Sequence, residues 1–313
     1  HFACRMEELI LERGEVRGVV CSGDRVFHGP VLLATGHSAR DVYRYLHCAE
    51  ILIEAKPIAV GVRLEHPQSL IDEIRYHSPE GRGKYLPAAE YVYKVQAEGR
   101  GVYSFCMCPG GFVVPASTGP EETVVNGMSP ANRGSRWANS GLVVELHPED
   151  IPATGIRVED PTSPLALMQW CEAFEHKSYL AANRSLRAPA QRMTDFVARR
   201  HSSTLPSSSY TMGLTSSDLH EWMPDFITRR LSAGFRAFDR TTRGFLTGEA
   251  QLIGVESRTS SPVRIPRDRI TYAHPVVAGL YPAGEGAGFA GGIVSAAIDG
   301  ENAAQQIALA LGK

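Results

Sequence analysis

The stretch Gly279-Leu-Tyr-Pro-Ala-Gly-Glu-Gly-Ala-Gly-Phe-Ala-Gly-Gly292, running into Ile293-Val-Ser-Ala-Ala-Ile-Asp-Gly300, decides how the chain is read. Val276 to Leu280 is a short apolar run that reads as a strand. The glycines after it let backbone N–H groups approach an anion. The segment from Gly292 to about Leu311 then reads as an amphipathic helix whose N-terminus faces the loop. A strand, a glycine loop and a helix start in this order suit the phosphates or ring of a nucleotide cofactor. Gly286-x-Gly288-x-x-Gly291 also has the spacing of the dinucleotide fingerprint. That fingerprint calls for a second strand and an acidic ribose ligand about 20 residues on, and the last helix uses the residues that remain. The loop is therefore expected to close a site begun elsewhere.

The other part of that site is expected near Pro30-Val-Leu-Leu-Ala-Thr-Gly36, a buried strand that ends in small residues. A strand with Ala-Thr-Gly early and a strand with Gly-Glu-Gly late resemble the two later cofactor-contacting segments of glutathione-reductase-type FAD enzymes. Within that superfamily the chain resembles the bacterial NAD(FAD)-utilising dehydrogenase family of FAD-dependent oxidoreductases. The resemblance runs through Ala34-Thr-Gly-His-Ser-Ala-Arg-Asp41, Lys56-Pro-Ile-Ala-Val-Gly-Val-Arg-Leu-Glu-His-Pro67 and Tyr103-Ser-Phe-Cys-Met-Cys-Pro-Gly-Gly111. It continues through Asn126-Gly-Met128, Glu256-Ser-Arg-Thr-Ser-Ser-Pro-Val-Arg264 and Ala283 to Gly292, so it spans essentially the whole chain. It implies FAD as cofactor, NAD(P)H as a reductant by family name only, and a small-molecule substrate. The cofactor contacts it implies are Ala34, Thr35, Gly36, Gly284, Glu285, Gly286, Gly288, Phe289, Ala290, Gly291, Gly292 and Ile293. Glu285 departs from the Gly-Asp usual at this point in such flavoproteins, which loosens its assignment to a ribityl hydroxyl.

In these flavoproteins a βαβ unit with a true GxGxxG holds the FAD pyrophosphate, and none lies upstream of Ala34. The chain, which starts at His1 rather than Met, is therefore read as the C-terminal portion of a longer enzyme. Its 313 residues, 43% of them hydrophobic, suffice for a large core in two lobes. A net charge of −2 gives no electrostatic footprint for nucleic acid, which disfavours a tRNA-modifying flavoprotein. No apolar run approaches the roughly 18 residues of a bilayer span, and no signal-peptide pattern opens the chain, so no membrane partner is expected. Cys4, Cys21, Cys48, Cys106, Cys108 and Cys171 show no paired metal spacing, and their scatter fits a reducing compartment. A cytoplasmic location with no metal is the expectation; the oligomeric state stays open.

The expected fold class is α/β with an α+β insert: a partial FAD-binding lobe, residues 1–46 and 266–313, around a mixed-sheet and helical substrate lobe, residues 47–265. Turn signals at Arg13-Gly14, Ser22-Gly23-Asp24 and His28-Gly29-Pro30 predict a β-meander before the Ala-Thr-Gly strand. Ile58, Val60, Val62 and Leu64 alternate with Gly61, Arg63 and Glu65, and Tyr91, Tyr93 and Val95 repeat the pattern. Leu165, Met168, Cys171 and Phe174 predict one helix, and Met193, Phe196 and Val197 another, with Ala188-Pro189 between them. Pro224 suits a first helical position before Phe226, Ile227, Leu231 and Phe235. In the last helix Ile293, Ala296, Ala297, Gly300, Ala304 and Ile307 form the face expected to pack on a sheet.

Catalytic candidates are Cys108, His37 and Arg258. Cys106 and Cys108 share one face of a strand about 6.5–7 Å apart, long for a disulfide. They are either small residues buried beside a cofactor or a thiolate acting as acid or nucleophile. His37 follows Ala-Thr-Gly directly and suits proton transfer, or else a loop hydrogen bond. Arg63 and Arg258 fit a substrate carboxylate or the flavin's pyrimidine edge, or ion pairs with Glu65 and Glu256. His66 reads as a strand end, and Asn126 as a ring donor or a turn residue. Two function classes follow: an FAD-dependent oxidoreductase, or a non-catalytic ligand-binding or regulatory fragment whose glycine loop is purely structural.

Overall fold

The computed structural model describes residues 1–312 as a mixed α/β chain of two compact units. Among the described residues the first comprises 1–58, 159–168 and 260–312, the second 59–158 and 169–259.

The expected meander is present. β1 (Met6–Glu12), β2 (Glu15–Cys21) and β3 (Arg25–His28) form a three-stranded antiparallel sheet. Its first turn places Arg13 and Gly14 at φ +53° and +80°. β4 (Val31–Leu33) leads into the Ala-Thr-Gly turn and α1 (Arg40–Cys48), which buries Val42, Tyr43 and Leu46. β5 (Glu54–Ala55) closes this part.

The second unit begins at β6 (Ile58–Pro67), followed by α2 (Gln68–Tyr76), β7 (Lys94–Ala97) and β8 (Arg100–Cys108). β9 (Phe112–Pro115) and β10 (Val125–Met128) form a separate hairpin, and β11 (Trp137–Leu146) precedes the short α3 (Ile151–Thr154). α4 (Ala166–Ala181), which belongs to it from residue 169 on, β12 (Ala188–Arg192), α5 (Met193–Ala198), β13 (Leu214–Ser216), α6 (Leu219–Trp222), α7 (Asp225–Thr241) and β14 (Gln251–Glu256) complete it. The main sheet has seven strands in the order β13-β12-β14-β6-β11-β8-β7; it is mixed because β12 and β13 run parallel while β14 runs antiparallel to both β12 and β6. Gly61 makes the β6–β11 approach feasible, since a Cβ there would lie 2.0 Å from the Leu142 carbonyl oxygen. Gly234 plays the same part where α7 meets β8: its Cβ would come within 2.7 Å of Val102. The apolar repeat of α7 is buried as its spacing requires, at Phe226, Ile227, Leu231 and Phe235.

Several local expectations change. Both faces of β6 are buried, so Arg63, Glu65 and His66 lie inside rather than on a solvated face. Tyr91 and Tyr93 precede β7 instead of forming it, and pack with Phe238 and Phe245 in an aromatic cluster. The Ala188-Pro189 break is itself strand β12, and Pro224 sits one residue before α7.

The chain then returns to the first unit through β15 (Val263–Arg264), β16 (Leu280–Pro282) and α8 (Ile293–Ala310). The boundary of the insert therefore differs from the 47–265 expected. β15 pairs antiparallel with β5, and Ile51, Ile53, Leu165, Met168, Val263 and Ile265 join Leu46 and Leu280 in the first unit's core, so these segments belong to it. The inward face of α8 is also rotated from the one expected: Ala303 is buried, whereas Ala297 and Ala304 are exposed and Ile293 is 91% exposed. Asp299 sets that rotation by pointing inward to Arg267. No helix among the described residues is long and apolar enough to cross a membrane.

Candidate functional site

In the first unit β4 and β16 run parallel, with Val31 opposite Leu280, Leu32 opposite Tyr281 and Leu33 opposite Pro282. Their carboxyl ends therefore emerge side by side, one into Ala34-Thr35-Gly36 and the other into Ala283-Gly284-Glu285-Gly286. The crevice beyond the carboxyl ends of parallel strands is where open α/β sheets take their ligands. The two loops touch through backbone: a Cβ on Gly286 would lie 2.6 Å from the Gly36 carbonyl oxygen. Gly36, Gly284 and Gly288 have φ of +78°, +75° and +83°, the left-handed region that glycine enters without steric cost.

Side chains from distant parts of the sequence hold this junction. The Tyr43 hydroxyl donates to the Gly286 carbonyl at 2.7 Å and lies 2.9 Å from Ser261 Oγ. Burial pushes its pKa to about 12, so it stays a proton donor. Asp299, from α8, accepts the Gly284 N–H at 2.7 Å and pairs with Arg267, which also donates to the Pro282 carbonyl at 2.8 Å. Burial alone would raise the Asp299 carboxyl, but the Arg267 and Gly284 hydrogen bonds outweigh it and hold it below the usual carboxylate range. His37 Nδ1 lies 3.3 Å from Glu285 Oε1, so the first residue after Ala-Thr-Gly meets the departing residue of the glycine loop.

The loop also carries positive charge. The Arg267 guanidinium stacks 4.1 Å from the centre of the Phe289 ring, and Arg264 lies 5.6 Å from it. Lys56 packs against Gly288, where a Cβ would lie 3.1 Å from Lys56 Cδ. Desolvation, and then Arg264, lowers the Lys56 pKa. α8 starts at Gly292 without a side-chain cap, and Gly291, Gly292, Ile293 and Val294 are exposed. Its first amides and dipole thus point an uncapped, partly positive end outward. All the residues expected to contact the cofactor lie at the two strand ends or at the start of α8. Lys56, Tyr43, Arg264, Arg267 and Asp299 complete the surround without any signal in local spacing, because their partners are up to 243 residues away. The chemistry of this donor set fits the pyrophosphate or the electron-rich edge of a flavin: uncapped amides, a helix dipole and cations around small residues.

The other catalytic candidates lie in the second unit, in two clusters. Arg63 is fully buried, and each of its nitrogens has a partner in the protein. Nε donates to Asn139 Oδ1 at 2.8 Å, Nη1 faces the Glu256 carboxylate at 3.3 Å, and Nη2 donates to the Cys106 carbonyl at 2.6 Å with Cys108 Sγ at 3.2 Å. Of its two expected ion-pair partners it takes Glu256; Glu65 instead accepts from Ser209 and Gln251. Burial raises the Glu256 carboxyl to about 7 even though Arg63 opposes the shift. Arg258 is engaged separately, with Glu122 at 2.8 Å, Glu175 at 3.0 Å, Thr118 Oγ1 at 2.6 Å and the Ala116 carbonyl at 3.3 Å. The Asn126 side chain accepts its own neighbour's N–H, from Gly127 at 2.7 Å. His66 donates from Nε2 to the Phe245 carbonyl at 2.9 Å.

Residues 57–259 match the family described as "FAD-dependent protein, C-terminal domain-like". An uncharacterized protein of Clostridium beijerinckii is 40% identical over 311 residues, which is 98% of this chain and 56% of the relative. The chain thus spans about half the length of that relative. The family match alone covers well over half of the chain, from β6 to the residue after Arg258, and it identifies the chain as a member of the FAD-dependent protein family, C-terminal domain-like.

Proposed function

We propose that the chain is the C-terminal portion of a longer FAD-dependent oxidoreductase of the NAD(FAD)-utilising dehydrogenase type. In this reading residues 34–36 and 284–293 hold the flavin, and a βαβ unit elsewhere in the longer protein completes the pyrophosphate site. The supporting observation is the parallel exit of β4 and β16 into two backbone-touching glycine loops beside the uncapped start of α8. FAD, when bound, supplies hydride transfer to or from a small-molecule substrate, with NAD(P)H as the proposed reductant. This chain's own part is to bind and orient. The α8 amides, Lys56 and Arg264 face negative charge on the cofactor, while Tyr43 and Asp299 hold the loops in register. His37, steadied by Glu285, is placed to give or take a proton at the strand ends. Arg258 and Cys108, the other catalytic candidates, are held within the second unit, Arg258 through its carboxylate pairs.

One observation favours the alternative, a non-catalytic module with a structural loop: Gly286 and Gly288 are required by the protein's own packing, whatever the ligand. Purification of the longer protein separates the two. The oxidoreductase reading expects a yellow protein that releases FAD on denaturation. A colourless protein that takes up no added FAD supports the structural loop instead.

A further inference from the structure

β8 and β11 pair with one irregularity. Asn139 stands opposite Cys108 and Gly141 opposite Phe105, so Cys106 and Met107 share Ser140 as their partner. This is a β-bulge, and its extra residue places Cys106 in the left-handed region at φ +46°. In a flat strand the i and i+2 thiols stand parallel and apart; here the bulge turns Cys106 out of that register, and the Cys108 thiol donates to the Cys106 carbonyl at 3.4 Å. The two sulfurs differ in surroundings. Cys106 is exposed, and Cys108 is buried, with Arg63 Nη2 at 3.2 Å from its sulfur. Gly111 and Gly127 keep the space around this cluster tight: a Cβ on Gly111 would meet Cys108 Cβ at 2.9 Å, and one on Gly127 would meet Arg63 Nη2 at 1.9 Å.

We infer that Cys106 and Cys108 form a thiol–disulfide exchange couple, with Cys106 as the attacking thiolate, Cys108 as the resolving thiol and small-molecule disulfides as the co-reactant class. The inference does not rest on the flavin reading. In the first step the Cys106 thiolate attacks one sulfur of the disulfide, forming a mixed disulfide and expelling one thiolate. In the second, Cys108 gives up its proton and attacks Cys106 Sγ, which closes the Cys106–Cys108 disulfide and releases the second thiol. Counted from the Cys106 thiolate, the protein loses two electrons and the one proton of Cys108, and the small disulfide leaves as one thiolate and one thiol.

The charges favour this order. The interaction with Cys108, then the Arg63 guanidinium, lowers the Cys106 thiol below the ordinary cysteine range against the opposing effect of burial. The same interaction, together with burial, pushes Cys108 up. Cys106 is the member of the pair that a disulfide in solvent can reach, while Arg63 touches the buried Cys108 sulfur. Glu256 is the other charged group at the cluster; its attraction for Arg63 limits how much positive charge the thiols feel. The bulge at Cys106 removes the flat-strand premise on which the spacing objection rested.

The probe is 5,5′-dithiobis(2-nitrobenzoate), added in stoichiometric amount to the reduced protein, with N-ethylmaleimide quenching and tryptic digestion. Cleavage after Arg100 and Arg133 isolates residues 101–133, in which Cys106 and Cys108 are the only cysteines. The expected wild-type peptide carries neither adduct nor alkyl group and is lighter by two hydrogens. Cys108→Ser should keep a stable thionitrobenzoate adduct on Cys106, and Cys106→Ser should react at least tenfold more slowly. The rate at Cys106 should fall less than about threefold from pH 8 to pH 6, where an ordinary thiol loses roughly a hundredfold. A wild-type peptide alkylated at both positions, or one that retains the adduct, overturns the inference. So does an ordinary thiol's pH profile at Cys106, and these outcomes need no variant to fold.

Discussion

His66 lies inside the second unit with Phe245 on one side, ring centres 4.8 Å apart, and with its Nε2 proton given to the Phe245 carbonyl. Burial lowers its pKa to about 4. Between pH 6.5 and 4 the unfolded chain therefore takes up a proton that the folded chain refuses. The neutral imidazole's contribution is fully present above pH 6.5 and is lost as the pH falls, by about 2 kcal/mol at pH 5. Glu256 acts in the opposite sense. Its raised carboxyl keeps a proton that the unfolded chain releases, so its contribution fades as the pH rises through about 7. His66→Asn, which can still donate to Phe245, should therefore lose less stability than wild type between pH 7 and pH 5, by about 2 kcal/mol in urea unfolding. Equal pH dependence in the two proteins would contradict the assignment. Nothing around position 66 in the sequence signals this. Glu65-His66-Pro67 reads as a strand end, and only the fold covers both faces of β6 and seals the ring.

At the scale of the element, α8 is held less by apolar burial than by one polar anchor. Ala303 is its single fully buried residue, while Ile293, Val294 and Leu309 are 91%, 72% and 67% exposed. Asp299 joins the helix to Arg267 and to the Gly284 amide, with both charged side chains largely withdrawn from water. Removing one partner from such a pair leaves an uncompensated charge and costs on the order of 3 kcal/mol. Asp299→Ala is expected to raise hydrogen exchange across residues 284–300 and to lower the melting temperature. Unchanged protection there would show that the small residues of α8 suffice. The anchor is strongest above the ordinary carboxylate range, since a carboxyl held low loses its advantage only as the pH falls through its folded pKa. The helix itself was legible from the sequence, as were the meander and α7, because each is written in local periodicity and turn residues. Its rotation was not, because a small-residue pattern such as Ala296, Ala297 and Gly300 permits several inward faces and an ion pair from Arg267 chooses among them.

For the molecule as a whole, the family match supports a flavoprotein-type role, and the proposed flavin contacts lie elsewhere in the chain. The family match rests on residues 57–259, whereas the strand ends and glycine loops lie outside that range. The loops were legible because glycine, alanine and threonine at strand ends leave a local trace. The residues that bind the loops together were not, since Tyr43, Ser261 and Gly286 meet only after folding. The glycines themselves now fall into two groups. Gly286 and Gly288 are fixed by neighbours within the chain, whereas a Cβ on Gly291 would meet nothing within 4 Å, and its φ is one that any residue adopts. Gly286→Ala should therefore destabilise the fold directly, while Gly291→Val leaves it intact and obstructs only a ligand at the start of α8. The deciding measurement is FAD titration of the longer protein carrying Gly291→Val, with thermal unfolding of the apoprotein measured in parallel. The account predicts at least tenfold weaker FAD binding at an unchanged melting temperature; FAD affinity equal to wild type would contradict the placement of the flavin at these loops.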